Sequence, residues 1–361
     1  MPTPSFEDRL KGRRILLTGH TGFTGTWALH WFDALGCEVT GLSLAPDTDP
    51  SMFVATGAEA LCARHIIGDI RDAELVRQAV AEVQPELILH LAAQTLVPTS
   101  YAEPVETYAA NLMGTVHILD AARRTDSVDG VVCITTDKVY ENREWLYPYR
   151  EVDALGGKDP YSASKACCEL AIASYRASLP SWGQGLNIVS ARGGNIIGGG
   201  DWSDRRLVPD IARAAASGAP IVLRNPAATR PWQHVACLVH GYMMLLDQAA
   251  GGPISDPEAG AWNLGPQAED CIPVGDLVQR FATHFGDMKV DVQPVQQSEA
   301  QLLMLDSAKA RQKLGWAPAW GLEDTIAETA NWYRDYYADP SQAAALTRRQ
   351  IAKYRDCLAS V

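Results

Sequence analysis

No apolar run in the 361 residues approaches the roughly 20 needed to cross a bilayer. The opening MPTPSFEDRLKGRR contains no apolar signal core. The expectation is a chain neither inserted nor exported, working in the cytoplasm. Basic charge is also in short supply, with 31 Lys and Arg against 43 Asp and Glu and a formal net charge of −12. Such a surface disfavours phosphate backbones and anionic membranes, so neither nucleic acid nor membrane is expected as a partner. An anionic small molecule stays admissible where a few arginines line a pocket, because local potential decides binding there. Eight cysteines occur without a CxxC pair, and the histidines are not clustered at ligand spacing, so no metal site is expected. Most cysteines lie in apolar runs and read as small buried hydrophobes of a reducing compartment. There is no internal repeat and no low-complexity linker.

What is present is repeated alternation. RILLTG, EVTGLSL, LILHLAA and VVCITT are short, nearly continuous apolar runs. They are separated by longer amphipathic stretches, among them AELVRQAVAEV and the segment from Asn111 to Arg124. That is the pattern of βα units, and strands apolar on both faces belong in a parallel sheet covered on both sides. The fold class is therefore α/β, a doubly wound parallel sheet of Rossmann type over residues 1–197. From Gly198 the pattern turns irregular, with GGGD, several prolines and short strands such as PIVLRN. Residues 198–361 are expected to form mainly a smaller, discontinuous substrate lobe, with segments near 236–248 and 261–265 returning to the sheet.

Three motifs carry chemistry. The first strand runs into Gly19-His20-Thr21-Gly22-Phe23-Thr24-Gly25 and then a helical stretch. Glycines there let the backbone approach a pyrophosphate seated at a helix N-terminus, and the strand–turn–helix context is what a dinucleotide fingerprint requires. At the end of the second strand, where a carboxylate ordinarily holds the adenosine ribose, the chain reads Leu42-Ser43-Leu44-Ala45-Pro46. Neither a carboxylate nor an arginine for a 2′-phosphate is there, so this criterion leaves NAD and NADP both open. Asp69-Ile70 follows the third strand and fits an adenine contact or a helix cap. Tyr161-Ser162-Ala163-Ser164-Lys165 places a phenol and an ammonium four residues apart on one helical face. A neighbouring ammonium favours phenolate, which can then accept a proton from a sugar hydroxyl. Thr135-Thr136-Asp137-Lys138 ends the strand VVCITT at the carboxyl edge, where doubly wound folds put their sites, and supplies hydroxyl, carboxyl and amine together.

Gly19 to Gly25, His90-Leu91-Ala92-Ala93-Gln94, Thr136-Asp137-Lys138 and Tyr161 to Lys165 together resemble the extended short-chain dehydrogenase/reductase superfamily. Further along, Arg192-Gly193-Gly194-Asn195-Ile196-Ile197-Gly198-Gly199-Gly200-Asp201-Trp202, Arg224-Asn225-Pro226 and Arg230-Pro231-Trp232-Gln233-His234-Val235 resemble the CDP-glucose 4,6-dehydratases. The resemblance implies NAD held by Gly19, Thr21, Gly22, Phe23, Thr24, Gly25, Asp69, Ile70, Leu91, Ala92, Ala93, Tyr161 and Lys165. It implies a nucleotide sugar bound by Gln94, Asn195, Trp202, Arg224, Arg230 and His234, with Arg230 on the diphosphate. The implied catalytic set is Thr136, Asp137, Lys138, Tyr161 and Lys165: Tyr161 as base at the sugar 4-hydroxyl, Asp137 as acid for the departing 6-hydroxyl, and Lys138 where related enzymes carry a glutamate base. A lysine is a base only when neutral, which requires its pKa to fall from about 10.4. A homodimer is implied, packed through the helix near Asn111 to Arg124 and the helix of Tyr161. Two positions depart from the pattern: Thr24 stands where a lysine is usual, and Thr136 where a serine is common.

Two other readings share these residues. A nucleotide-sugar epimerase or decarboxylase would use the same tyrosine, but does not need Asp137 and Lys138 to expel a 6-hydroxyl. A catalytically silent NAD-binding regulatory protein would keep the fold without needing Thr136, Tyr161 and Lys165.

Overall fold

The structure, a computed structural model, describes residues 5–182, 185–204, 206–223, 225–251, 260–286, 288–293 and 302–359. Its strands in chain order are β1 (Arg14–Thr18), β2 (Glu38–Ser43), β3 (Arg64–Ile67), β4 (Leu87–His90), β5 (Gly130–Ile134), β6 (Asn187–Gly193), β7 (Asn195–Ile197), β8 (Ile221–Leu223), β9 (Thr229–His234), β10 (Ala261–Leu264), β11 (Cys271–Pro273) and β12 (Val290–Val292). Seven of them form one sheet in the order β10-β6-β5-β4-β1-β2-β3, and every neighbouring pair is parallel. β1, β4 and β6 are almost wholly buried, as strands covered by helices on both faces must be. The strand order reverses between β1 and β4, and the crevice beyond their carboxyl ends is the topological switch point of such a sheet.

The chain leaves the sheet after β6 and comes back to it at β10, whose residues Ala261 to Leu264 pair with Ser190 to Gly193. The intervening helix Val235–Ala250 lies against β4, β5 and β6. Beyond the sheet edge β7, β9 and β11 make a small mixed sheet, and β8 pairs with β12. The stretch from Asn111 to Arg124 is helical but not uniformly α: a π turn, Ala109–Met113, precedes the α-helix Gly114–Arg123. Of the eight cysteines, all free, Cys133, Cys168 and Cys237 are buried as expected of small hydrophobes, while the other five are partly exposed. No helix among the described residues is long and apolar enough to cross a membrane.

Local chemistry sets the ends of the helices that matter. Asp159 accepts the Ser162 N–H at 2.9 Å and Pro160 occupies the first turn, so the helix Pro160–Ser178 begins one residue before Tyr161. Asp72, not Asp69, caps the helix Ala73–Val83 by accepting from the N–H groups of Glu74 and Leu75.

Candidate active site

The loop after β1 is built for close backbone approach. Gly19 has φ +75°, and a Cβ there would stand 2.8 Å from the backbone nitrogen of Ala92. A Cβ on Gly25 would stand 2.1 Å from the Gly19 carbonyl oxygen. The helix Phe23–Leu35 that follows, with Thr24 in its first turn, has neither a side-chain cap nor an acidic residue in that turn. Its leading N–H groups therefore suit a bound phosphate. Thr21 Oγ1 lies 2.8 Å from Ser43 Oγ and donates to the Leu44 carbonyl at 2.9 Å. A pair of hydroxyls, both buried, thus stands at the end of β2. Across the crevice, Leu91 and Ala92 both direct their N–H groups to Thr18 Oγ1 at 3.2 Å, and Ala93 follows them at the carboxyl end of β4. These residues make a cradle that fits a dinucleotide.

Asp69 receives the Arg71 N–H at 2.9 Å and the Arg71 guanidinium, which also pairs with Glu106; its carboxylate is held below the ordinary range chiefly by Arg71. Ile70 is buried, and its carbonyl oxygen meets His117 Nδ1 at 2.9 Å.

The second wall is the turn after β5. Thr136 Oγ1 donates to Asp137 Oδ1 at 3.0 Å and accepts the Lys138 N–H at 3.3 Å. Asp137 is buried, and its Oδ2 has no hydrogen-bond partner among the described residues. Burial raises its pKa against the opposing pull of Lys138, Thr136 and Arg230, which favours a carboxyl that keeps its proton. The Thr136 hydroxyl also lies near enough to the phenol of Tyr161 to pull its pKa down. Lys138 Nζ lies 6.0 Å from the centre of the Tyr161 ring.

The Tyr161–Lys165 pair departs from expectation. Burial pushes the Tyr161 phenol up to about 12, opposed by the Thr136 hydrogen bond and by the charge of Arg206. Lys165, whose own pKa burial lowers, donates its Nζ to the Ile134 carbonyl at 3.0 Å. Lys165 thus places one of its N–H groups on the end of β5, and the charge of Arg206 is a second cation that favours phenolate in this arrangement.

Arg206 is the residue that sequence reasoning missed. Its Nη1 donates to Asp201 Oδ2 at 3.1 Å and its Nη2 to Thr95 Oγ1 at 3.0 Å, which spans the crevice from the GGGDW segment to the end of β4. In the sequence it stands in Asp-Arg-Arg, which reads as a solvated charge run. The available signal was its place directly ahead of the apolar helix Leu207–Ser217.

Three of the residues expected to bind substrate serve the scaffold instead. Both ends of the Gln94 amide are engaged: Nε2 donates to Thr107 at 3.0 Å, and Oε1 accepts the Leu96 N–H at 2.6 Å. His234 is fully buried between Trp27 and Trp320, and its Nδ1 caps the following helix by accepting the Ala236 N–H at 3.1 Å. Trp202 is buried in an aromatic cluster with Trp332, Tyr333 and Tyr336. Asn195 on β7 is half-buried. Arg230 on β9 is buried, donates to the Thr229 carbonyl at 3.0 Å and lies close enough to Asp137 to stabilise its charge. Arg224 lies outside the described residues. Among the described residues no group of His, Cys, Asp and Glu could hold a metal ion.

With this geometry in place, comparison with known proteins is informative. The family model described as GDP-mannose 4,6 dehydratase matches residues 16–329. CDP-glucose 4,6-dehydratase of Salmonella typhimurium is 40% identical over 355 residues, covering 95% of this chain and 96% of the relative. Among solved structures, dTDP-glucose 4,6-dehydratase of Streptomyces venezuelae with NAD and TYD bound superposes with a TM-score of 0.76 at 25% identity, covering 91% of this chain and 99% of that one. UDP-glucose 4-epimerase of Thermus thermophilus in complex with NAD superposes nearly as well, with a TM-score of 0.75 at 25% identity over 89% of this chain and 99% of that one. The backbone is thus shared by enzymes of different outcome, and sequence identity across the full length sorts them: the chain belongs to the GDP-mannose 4,6 dehydratase family, on the extended short-chain dehydrogenase/reductase fold.

Proposed function

We propose that this protein is an NAD-dependent hydro-lyase that converts CDP-glucose to CDP-4-dehydro-6-deoxy-glucose. The observation that carries the reading is Asp137: a buried carboxyl whose pKa is raised by burial, next to Lys138 and hydrogen-bonded to Thr136, which lies near Tyr161. An epimerase or decarboxylase has no use for an acid at the 6-hydroxyl. The full-length identity to the Salmonella enzyme supports the choice of nucleotide.

The cradle of Gly19 to Gly25 and the end of β4 would hold NAD, which would supply an acceptor for the hydride of carbon 4. Tyr161 takes the proton of the sugar 4-hydroxyl, with Thr136 orienting that oxygen. The resulting 4-ketone acidifies the proton on carbon 5 for removal by a base, a role that falls to Lys138. Asp137 then delivers its proton to the 6-hydroxyl, which leaves as water, and return of the hydride to carbon 6 with a proton to carbon 5 completes the product. Arg230 and Asn195 bind the diphosphate. The same reading divides the chain near residue 197 into a dinucleotide lobe and a sugar-nucleotide lobe.

The reading also takes the protein as a cytoplasmic homodimer. Tyr101, Val105 and Met113 are exposed on helical segments that pack beside the Tyr161 helix, and Leu170 is exposed on that helix itself; these apolar side chains suit contact with a second copy. Sedimentation should give twice the chain mass, and Leu170→Glu should reduce it to one.

The deciding experiment is incubation with NAD and CDP-glucose beside dTDP-, GDP- and UDP-glucose, following 4-keto product and mass. Loss of one water from CDP-glucose without net NADH is the expected result. Turnover of another nucleotide sugar alone would overturn the substrate assignment, and turnover of none would overturn the enzyme reading.

A further inference from the structure

Glu169 lies one helical turn beyond Lys165 and two beyond Tyr161, on the same helix. Its carboxylate accepts from Thr135 Oγ1 at 2.5 Å, Ser190 Oγ at 2.8 Å and Arg192 Nη2 at 2.7 Å. Burial alone would raise its pKa, but Arg192, Thr135 and Ser190 outweigh that, and the group stays ionised. Arg192, equally buried, uses its other nitrogen to donate to Tyr140 Oη at 2.8 Å and to the Glu151 carbonyl at 3.1 Å. Tyr140 Oη in turn donates to Asn263 Oδ1 on β10 at 2.7 Å.

The arrangement has a particular topology. Thr135 immediately precedes, and Tyr140 closely follows, the turn Thr136-Asp137-Lys138. One end of that turn is tied to Glu169 and the other to Arg192, and the two anchors pair with each other. All of these side chains are buried, and the contacts described join protein groups to one another. A buried ion pair is a poor source of stability, since desolvating two charges offsets most of their attraction. Its value lies in the single geometry that it enforces.

We infer that Glu169 and Arg192 are positioning residues that hold the Thr136–Lys138 turn against the Tyr161 helix, with separable arms. The Glu169–Thr135 arm sets Thr136 for proton removal at the 4-hydroxyl. The Arg192–Tyr140 arm sets Asp137 and Lys138 for elimination of water. The assignment of steps rests on the proposed dehydratase reading.

Glu169→Gln would leave a buried guanidinium uncompensated and endanger folding, so the milder Tyr140→Phe and Thr135→Val carry the test. With CDP-glucose and NAD, Tyr140→Phe should lower kcat by about ten- to hundredfold, the scale of a displacement of about 1 Å. KM should hold, and reduced cofactor should accumulate transiently because elimination lags oxidation. Thr135→Val should slow the first appearance of reduced cofactor instead. Equal slowing of both steps in both variants, or no slowing, would overturn the inference. Failure of the wild-type protein to turn over any nucleotide sugar would count against the dehydratase reading alone. A second measurement then decides the positioning role without substrate: hydrogen exchange of the amides from Thr136 to Tyr140 should quicken about tenfold more in Tyr140→Phe than that of the amides of β2, which lie outside the network, and an equal change in both segments would refute it.

Discussion

Arg206 and Asp201 pair across the turn that follows β7, Nη1 to Oδ2 at 3.1 Å, and this pair brings a guanidinium charge to bear on the Tyr161 phenol. Removing that charge should raise the phenol pKa further. Arg206→Leu is expected to move the acidic limb of the kcat/KM profile to higher pH, with Arg206→Lys restoring most of the original position. A limb that stays in place in Arg206→Leu would show that the charge is not felt at Tyr161.

Asp137 should act as an acid only while protonated. Its pKa is raised by burial, so the protonated form survives to higher pH than for an ordinary carboxyl and is lost as pH rises through the raised value. Asp137→Asn is expected to reduce dehydration by about 10²- to 10⁴-fold, with reduced cofactor building up because the oxidation of carbon 4 does not need this proton. Stopped-flow absorbance of reduced nicotinamide gives the answer directly.

Gly25 has no room for a side chain, since its Cβ would meet the Gly19 carbonyl oxygen at 2.1 Å. Gly25→Ala must therefore push the loop away from the helix. We expect a loss of about 1–3 kcal/mol in stability, the usual cost of overpacking, and a much larger loss of NAD affinity, measurable by calorimetry. An alanine variant that bound NAD normally would contradict the cradle described above.

Buried histidines should make stability fall on the acid side of neutrality. His20, His30 and His240 are buried, with pKa lowered from 6.5 to about 4, and His90 and His234 to about 3, in every case chiefly by burial. Between pH 6.5 and these values the unfolded chain binds more protons than the folded one, so the stability present above 6.5 is lost progressively as pH falls. Each histidine contributes a slope of up to about 1.4 kcal/mol per pH unit. Urea unfolding at pH 7 and pH 5 should show this, and His240→Phe should flatten the slope; equal slopes in the two proteins would exclude His240 as a contributor.

Much of this site was legible in the sequence because motifs at strand ends declare their own location. The glycine loop, Thr136 to Lys138 and the Tyr161 helix each abut a recognisable strand or helix start, and a parallel sheet brings such ends to one edge. Side-chain direction was not legible. Gln94, Trp202 and His234 sit within matched strings, yet Trp202 packs in an aromatic cluster, His234 caps a helix, and Gln94 is held by Thr107 and the Leu96 N–H. Lys165 is correctly spaced from Tyr161 but reaches a carbonyl of β5, a contact fixed by burial depth that periodicity does not reveal. Arg206 was invisible for the converse reason: a charge run looks solvated until the fold brings Thr95 and Tyr161 beside it.

The place of β10 at the sheet edge bears on how the polypeptide is made. A ribosome delivers β6 well before residue 264, so the nascent sheet holds an open hydrogen-bonding edge while the whole sugar-nucleotide segment from β7 to β9 is being extruded. An exposed strand edge is a template for mispairing. A chain ended near residue 197 would carry that edge permanently and is expected to aggregate despite holding the entire nucleotide loop.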